Sequence, residues 1–162
     1  MEIGGQTWFA ENLNRKMGTS WCFGNADSNC VKYGRLYDWE TAVKACPSGW
    51  KLPDTADWKQ LINFAGGEST AGTKLKTSSG WDNLGGYLTV GTDDYGFSAL
   101  PGGSRSATDF SQGGVEACWW TATATSGVTN YAKRSWMYYN GDQLLVIDGG
   151  KSFGYSVRCI KD

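Results

Sequence analysis

Apolar and polar positions are patterned most clearly near the end of the chain. Two strands are predicted there, Ser135 to Tyr139 and Gln143 to Asp148. Asn140-Gly141 joins them, a dipeptide that favours a tight hairpin because both residues tolerate positive φ. Alternation then places Met137, Tyr139, Leu145 and Ile147 on one face. Trp136, Tyr138, Leu144 and Val146 fall on the other. Both faces are apolar or aromatic. One is expected to bury against the core, and the second to be covered or to serve as a binding surface.

Helical spacing occurs twice. Tyr37 to Cys46 is predicted as a helix capped by Asp38, with Trp39, Ala42, Val43 and Cys46 recurring on one side and Pro47-Ser48-Gly49 ending it. A second helix is predicted from about Thr55 to Ala65. Asp54 caps it, Asp57 suits its first turn, and Trp58, Leu61, Ile62 and Ala65 form its buried stripe. Gly66-Gly67 stops it. Both helices read as scaffold. Gly4 to Leu13 reads as an opening strand anchored by Trp8 and Phe9, and Asn14 to Lys32 as a polar loop. Trp50 to Pro53 is a short extended bridge. Glu68 to Gly103 is glycine-rich, with Gly72 to Lys76 and Gly80-Trp81 as small strands or turns. Arg105 to Gly114 continues as a polar loop.

Composition narrows the picture. With 162 residues and 40% hydrophobic content, one domain (1–162) with a sizeable core is expected. The 23 glycines against 3 prolines imply tight turns and ordered loops, not a proline-rich linker. The 9 tryptophans and 8 tyrosines offer the broad, polar-edged contact area of recognition surfaces, or fill a core poor in Leu and Ile. Net charge is -1, which gives no attraction for nucleic acid and no polybasic membrane surface. No apolar run is long enough for direct membrane insertion. The chain opens directly on Gly4-Gly5-Gln6-Thr7-Trp8 without a signal peptide, as expected if an upstream signal or domain has been removed. Histidine is absent, which excludes His-dependent zinc and triad chemistry within this chain.

Five cysteines in a turn-rich chain favour disulfides and an oxidising compartment, secreted or at the cell surface. Cys22 and Cys30 flank a short polar loop. Cys46 and Cys159 are candidates to tie an early helix to the final strand, which leaves Cys118 as a buried free thiol. Composition leaves the pairing open, and a reduced cytosolic state is the alternative. No cofactor is expected. Calcium is the one ion weighed, because Asp93-Asp94 could supply part of an oxygen-ligand site, against the simpler reading that both carboxylates satisfy turn donors.

Six segments then carry a resemblance. They are Gly4-Gly5-Gln6-Thr7-Trp8-Phe9-Ala10-Glu11-Asn12-Leu13, Lys32-Tyr33-Gly34-Arg35-Leu36-Tyr37, Ala45-Cys46-Pro47-Ser48-Gly49-Trp50-Lys51-Leu52-Pro53, Asp93 through Gly103, Trp119-Trp120, and Ser156-Val157-Arg158-Cys159. In order and together they resemble the Fibrobacter succinogenes major paralogous domain family, read as a bacterial branch of the C-type lectin-like fold. The resemblance implies an α+β domain with two helices, small antiparallel sheets and long ordered loops. It also implies the long Cys46–Cys159 disulfide. The calcium-dependent sugar motifs of animal lectins, Glu-Pro-Asn or Gln-Pro-Asp beside Trp-Asn-Asp, are absent.

Trp119 to Cys159 further resembles the end of diversity-generating retroelement variable proteins, which display altered residues on a rigid face. That likeness implies a ligand-binding set of Thr125, Val128, Asn130, Tyr131, Lys133, Trp136, Tyr138, Asp142, Leu144, Val146, Asp148 and Phe153. The expected activity is non-catalytic recognition of a protein or cell-surface ligand. The alternative is a carbohydrate-binding adhesin domain, calcium-assisted through Asp93 or Asp94, with Trp136 or Tyr138 stacking on a glycan. An enzyme is a third class: formylglycine-generating enzymes share the C-type lectin-like fold, but no reactive cysteine pair or base is evident here. A fourth reading packs the apolar hairpin face against a missing domain.

Overall fold

In the computed structural model, which describes residues 1–162, the chain forms twelve strands and four α-helices. In order these are β1 (Glu2–Ile3), β2 (Gln6–Thr7), β3 (Ser20–Trp21), α1 (Asp27–Tyr33), β4 (Leu36–Tyr37), α2 (Trp39–Ala42), β5 (Trp50–Lys51) and α3 (Thr55–Phe64). There follow α4 (Ala71–Leu75), β6 (Ser104–Arg105), β7 (Phe110–Ser111), β8 (Glu116–Ala124), β9 (Tyr131–Tyr138), β10 (Leu145–Gly150), β11 (Tyr155–Ser156) and β12 (Ile160–Lys161). One six-stranded sheet runs β10-β9-β8-β11-β4-β3, and the other strands pair as β1-β2, β12-β5 and β6-β7.

The α+β class stands, but the two-helix C-type lectin-like pattern does not: the chain has four helices and several small sheets. The retroelement variable-protein and adhesin readings rested on that two-helix scaffold and fall with it. The missed helices left no period to read. In α1 only Cys30 is buried, so no apolar stripe marks it. The five-residue α4 is too short to show a repeat, and Gly72 within it lies where the chain at 142–143 crosses. A Cβ on Gly72 would sit 2.4 Å from the Gln143 carbonyl oxygen, so only glycine permits that crossing.

α3 forms where expected, and its cap explains why. Asp54 Oδ1 accepts from the Ala56 and Asp57 amides at 2.7 and 2.9 Å, while Asp57 Oδ2 accepts from the Asp54 amide at 3.0 Å. This reciprocal box satisfies donors that a helix start leaves unpaired. Asp38 also caps α2, accepting from the Thr41 amide at 2.9 Å, but that helix stops at Ala42, short of the expected Cys46.

The six-stranded sheet divides two cores. On one side α3 contributes Trp58, Leu61 and Ile62, which meet Trp8, Phe97, Trp119, Met137 and Leu144. Trp58 lies 5.0 Å from Trp8 and 5.6 Å from Trp119, ring centre to ring centre, so much of the tryptophan content fills the core. On the other side Leu13, Tyr37, Ala42, Leu52, Cys118, Trp120, Tyr155 and Val157 pack together. Disulfides join Cys22 to Cys30 and Cys46 to Cys159, and Cys118 is free and buried.

Candidate functional site

β10 is the outer strand of the large sheet, paired only with β9. The β9–β10 register sets Trp136 opposite Leu145, Ser135 opposite Val146, Arg134 opposite Ile147 and Lys133 opposite Asp148. The β8–β9 register sets Cys118 opposite Trp136 and Glu116 opposite Tyr138. Alternation therefore gathers Trp136, Tyr138, Leu145 and Ile147 on one face, all four partly exposed.

This differs from the sequence expectation in one strand. Leu145 and Ile147 replace Leu144 and Val146 beside Trp136, because the connection is not a two-residue turn. It runs from Tyr139 to Leu144, with the Gly141 amide donating to the Tyr138 carbonyl. Leu144 turns inward and is fully buried, its amide donating to the Glu68 carbonyl at 3.0 Å. One residue of offset moves every β10 side chain to the opposite face.

The Trp136 and Tyr138 rings lie 5.8 Å apart and nearly parallel, at 17°. Both have polar anchors: the Trp136 indole donates to Glu116 Oε2 at 2.9 Å, and the Tyr138 hydroxyl donates to Gln112 Oε1 at 3.3 Å. Beside Trp136 on the same face, the Cys118 thiol donates to Glu116 Oε1 at 3.0 Å, and Arg134 Nη1 donates to the sulfur. Arg134 also stacks over the Tyr155 ring at 4.7 Å. Burial, then the neighbouring Glu116 carboxylate, push the Cys118 thiol well up, so it stays protonated and a poor nucleophile. It is a buried, hydrogen-bonded neighbour of Trp136 that shares the Glu116 carboxylate with the indole.

The other predicted ligand residues scatter. Tyr131, Lys133, Val146 and Asp148 occupy the opposite face of the ribbon. There Lys133 Nζ meets Asp148 Oδ1 at 2.8 Å and the Thr125 hydroxyl donates to the same oxygen at 2.5 Å. Lys133 first, and Thr125 after it, hold the Asp148 carboxyl below its usual range. Val128 and Asn130 are exposed in the turn before β9. Phe153, in the turn after β10, faces the Tyr155 ring at 6.2 Å. Asp142 accepts from the Thr73 hydroxyl at 2.7 Å and lines a polar cleft of about 380 Å³ with Asp94 and Lys74.

Sequence reasoning missed Leu145, Ile147, Gln112, Glu116 and Arg134. An apolar Leu144 directly after polar Asp142-Gln143 was the available signal that the turn is long and ends in the core. For calcium, the Asp93 carboxylate is already engaged, accepting from the Ser98 amide at 2.7 Å and from its hydroxyl at 2.6 Å. No three or more His, Cys, Asp or Glu side chains gather as a metal cluster. No helix is long and apolar enough to cross a membrane.

Fold and site together define a disulfide-bonded α+β domain that carries a partly exposed aromatic ribbon at its sheet edge. The chain belongs to the Fibrobacter succinogenes major domain family, whose model matches residues 1–161. No curated protein and no solved structure matches it.

Proposed function

We propose that this chain is a non-catalytic recognition domain, binding a protein or other surface ligand through the Trp136–Tyr138 face of the β9–β10 ribbon. The near-parallel pair of anchored, partly exposed rings carries the reading. Rings held by Glu116 and Gln112 lose little freedom when a partner covers them. Leu145 and Ile147 extend the apolar area, and Arg134 with Glu116 places charge at its border. The two disulfides support an oxidising, extracellular setting.

The test is a protein array and a glycan array probed with the full chain, with and without chelator. The comparison is with Tyr138→Ser/Ile147→Ser, which spares the Trp136–Glu116 bond and hence the fold. A protein ligand bound by the parent and lost by a variant with unchanged circular dichroism supports the reading. A ligand retained by the folded variant overturns the placement, and signal confined to glycans replaces a protein ligand with a carbohydrate.

A further inference from the structure

Arg158, between β11 and β12, is 2% exposed. Its guanidinium meets only neutral acceptors. Nε and Nη2 donate to Asn12 Oδ1 at 3.1 and 2.8 Å, and Nη1 donates to the Phe97 carbonyl. The cation also stacks over the Phe97 ring, 4.3 Å from its centre. Both ion pairs of the protein lie elsewhere, at Lys51–Asp57 and Lys133–Asp148. A guanidinium carries more N–H donors than these bonds use, so each terminal nitrogen keeps an N–H with no protein acceptor.

A buried charge lacking a counter-charge is costly. Burial accordingly pulls the Arg158 pKa down to about 9, against the more distant pull of Asp93 and Glu11, and the group stays cationic at neutral pH. Arg158 lines a pocket of about 350 Å³ whose wall includes Asn12, Asn14, Tyr33 and Ser98. That is the low end of the range for small-ligand sites. Gly34 lets the wall close: a Cβ there would sit 2.7 Å from Asn12 Cβ and 3.0 Å from the Asn12 carbonyl oxygen.

We propose that this pocket binds a carboxylate, from a small organic acid or a peptide C-terminus, with the Arg158 guanidinium as its anchor. A planar guanidinium matches a carboxylate in shape and charge. Lys32 lines the same pocket and adds a second cation, while Glu11 also lines it and Asp93 lies near. These two cations and two carboxylates nearly cancel around the Arg158 anchor, which suits a single negative charge better than a phosphate dianion. Val31, 82% exposed and also lining the pocket, offers contact to the ligand's carbon skeleton. The pocket shares no residue with the ribbon face, so either site can fail alone.

The experiment is an NMR titration of the ¹⁵N-labelled full chain with acetate, succinate, phosphate, and a short peptide in free-acid and C-terminally amidated forms. Saturable shifts at Asn12, Gly96 and Ser98 are expected from the carboxylates but not from the amidated peptide. Tighter binding of the free-acid peptide than of acetate assigns a peptide terminus, and the reverse assigns a small acid. Ala10→Trp, at an exposed position lining the pocket, should weaken binding at least roughly tenfold with the rest of the spectrum native. This variant keeps the test independent of whether Arg158→Gln folds. Absence of saturable shifts, equal shifts from free-acid and amidated peptide, phosphate binding as tight as acetate, or unchanged binding by the Ala10→Trp protein would each overturn the proposal.

Discussion

Lys76, directly after α4, is fully buried. Its ammonium donates to the Tyr138 carbonyl at 2.5 Å and the Gly141 carbonyl at 2.6 Å, and lies 4.9 Å from the Trp81 ring centre. It thus pins the connection from which Leu144 enters the core. Burial lowers its pKa from 10.5 to about 8, against the pull of the Asp142 carboxylate. That drop corresponds to roughly 3 kcal/mol against the charged form. Below about pH 8 both folded and unfolded chains hold the proton, and the burial cost is carried in full. Between about pH 8 and 10.5 the unfolded lysine keeps a proton that the native one has shed, so stability rises with pH across that window. By about pH 9 the gain is about 1.4 kcal/mol.

Other groups oppose this rise. Burial pushes Cys118, Tyr37 and Tyr155 upward, so their ionisation in the unfolded chain erodes stability above roughly pH 9 for the thiol and roughly pH 10 for the phenols. Comparison with Lys76→Met cancels those contributions. The variant relieves the buried charge but leaves the Gly141 carbonyl without a donor, at about 1–3 kcal/mol, while the Tyr138 carbonyl keeps the Gly141 amide, so its stability at neutral pH is not diagnostic. The slope is. Urea unfolding followed by tryptophan fluorescence at about pH 7 and about pH 9 should show the parent gaining about 1.4 kcal/mol relative to the variant. A parent–variant difference that stays constant over that interval refutes the reasoning.

Removing the Cys46–Cys159 bridge, which spans 113 residues, should cost up to about 4.8 kcal/mol by loop entropy, against about 2.5 kcal/mol for Cys22–Cys30, which spans 8. Denaturant unfolding of the paired Cys→Ser variants measures both, and the reverse order would contradict the entropic account. Asp54→Ala should lose about 1–2 kcal/mol with the capping box, while Asp54→Asn should stay near the parent in melting temperature. Cys118 should resist iodoacetamide in the native protein and react fully in urea; fast native labelling would mean that the β8–β9 face opens.

The sequence pattern located α3 because a cap, a four-residue apolar stripe and a glycine stop all agreed there. It located the ribbon strands to within a few residues, and it nominated both disulfide pairs. It failed where tertiary contact replaces local signal. α1 has a single buried residue and rests on the Cys22–Cys30 bridge, and α4 exists where Gly72 lets another segment cross. The β10 face went wrong through one turn. Asn140-Gly141 has the chemistry of a tight hairpin, yet the two bonds from Lys76 to Tyr138 and Gly141 and the burial of Leu144 hold the connection open. Separations of 62 and 65 positions along the chain hide that partnership from any local period.

The motifs that name the family meet at one side chain. Asn12 Oδ1 accepts from the Trp119 indole at 2.8 Å and from Arg158, while Asn12 Nδ2 donates to the Tyr33 carbonyl at 2.9 Å. Phe97 closes the group through the Arg158 contact and through Trp119, 5.8 Å away. Segments far apart in the chain thus converge on a buried polar junction in which Asn12 pairs the Trp119 indole and part of the Arg158 guanidinium. None of Trp136, Tyr138, Leu145 or Ile147 takes part in the junction. Their chemistry can change while Asn12 keeps its partners, so the side chains of the ribbon face and the Asn12 junction can be varied separately.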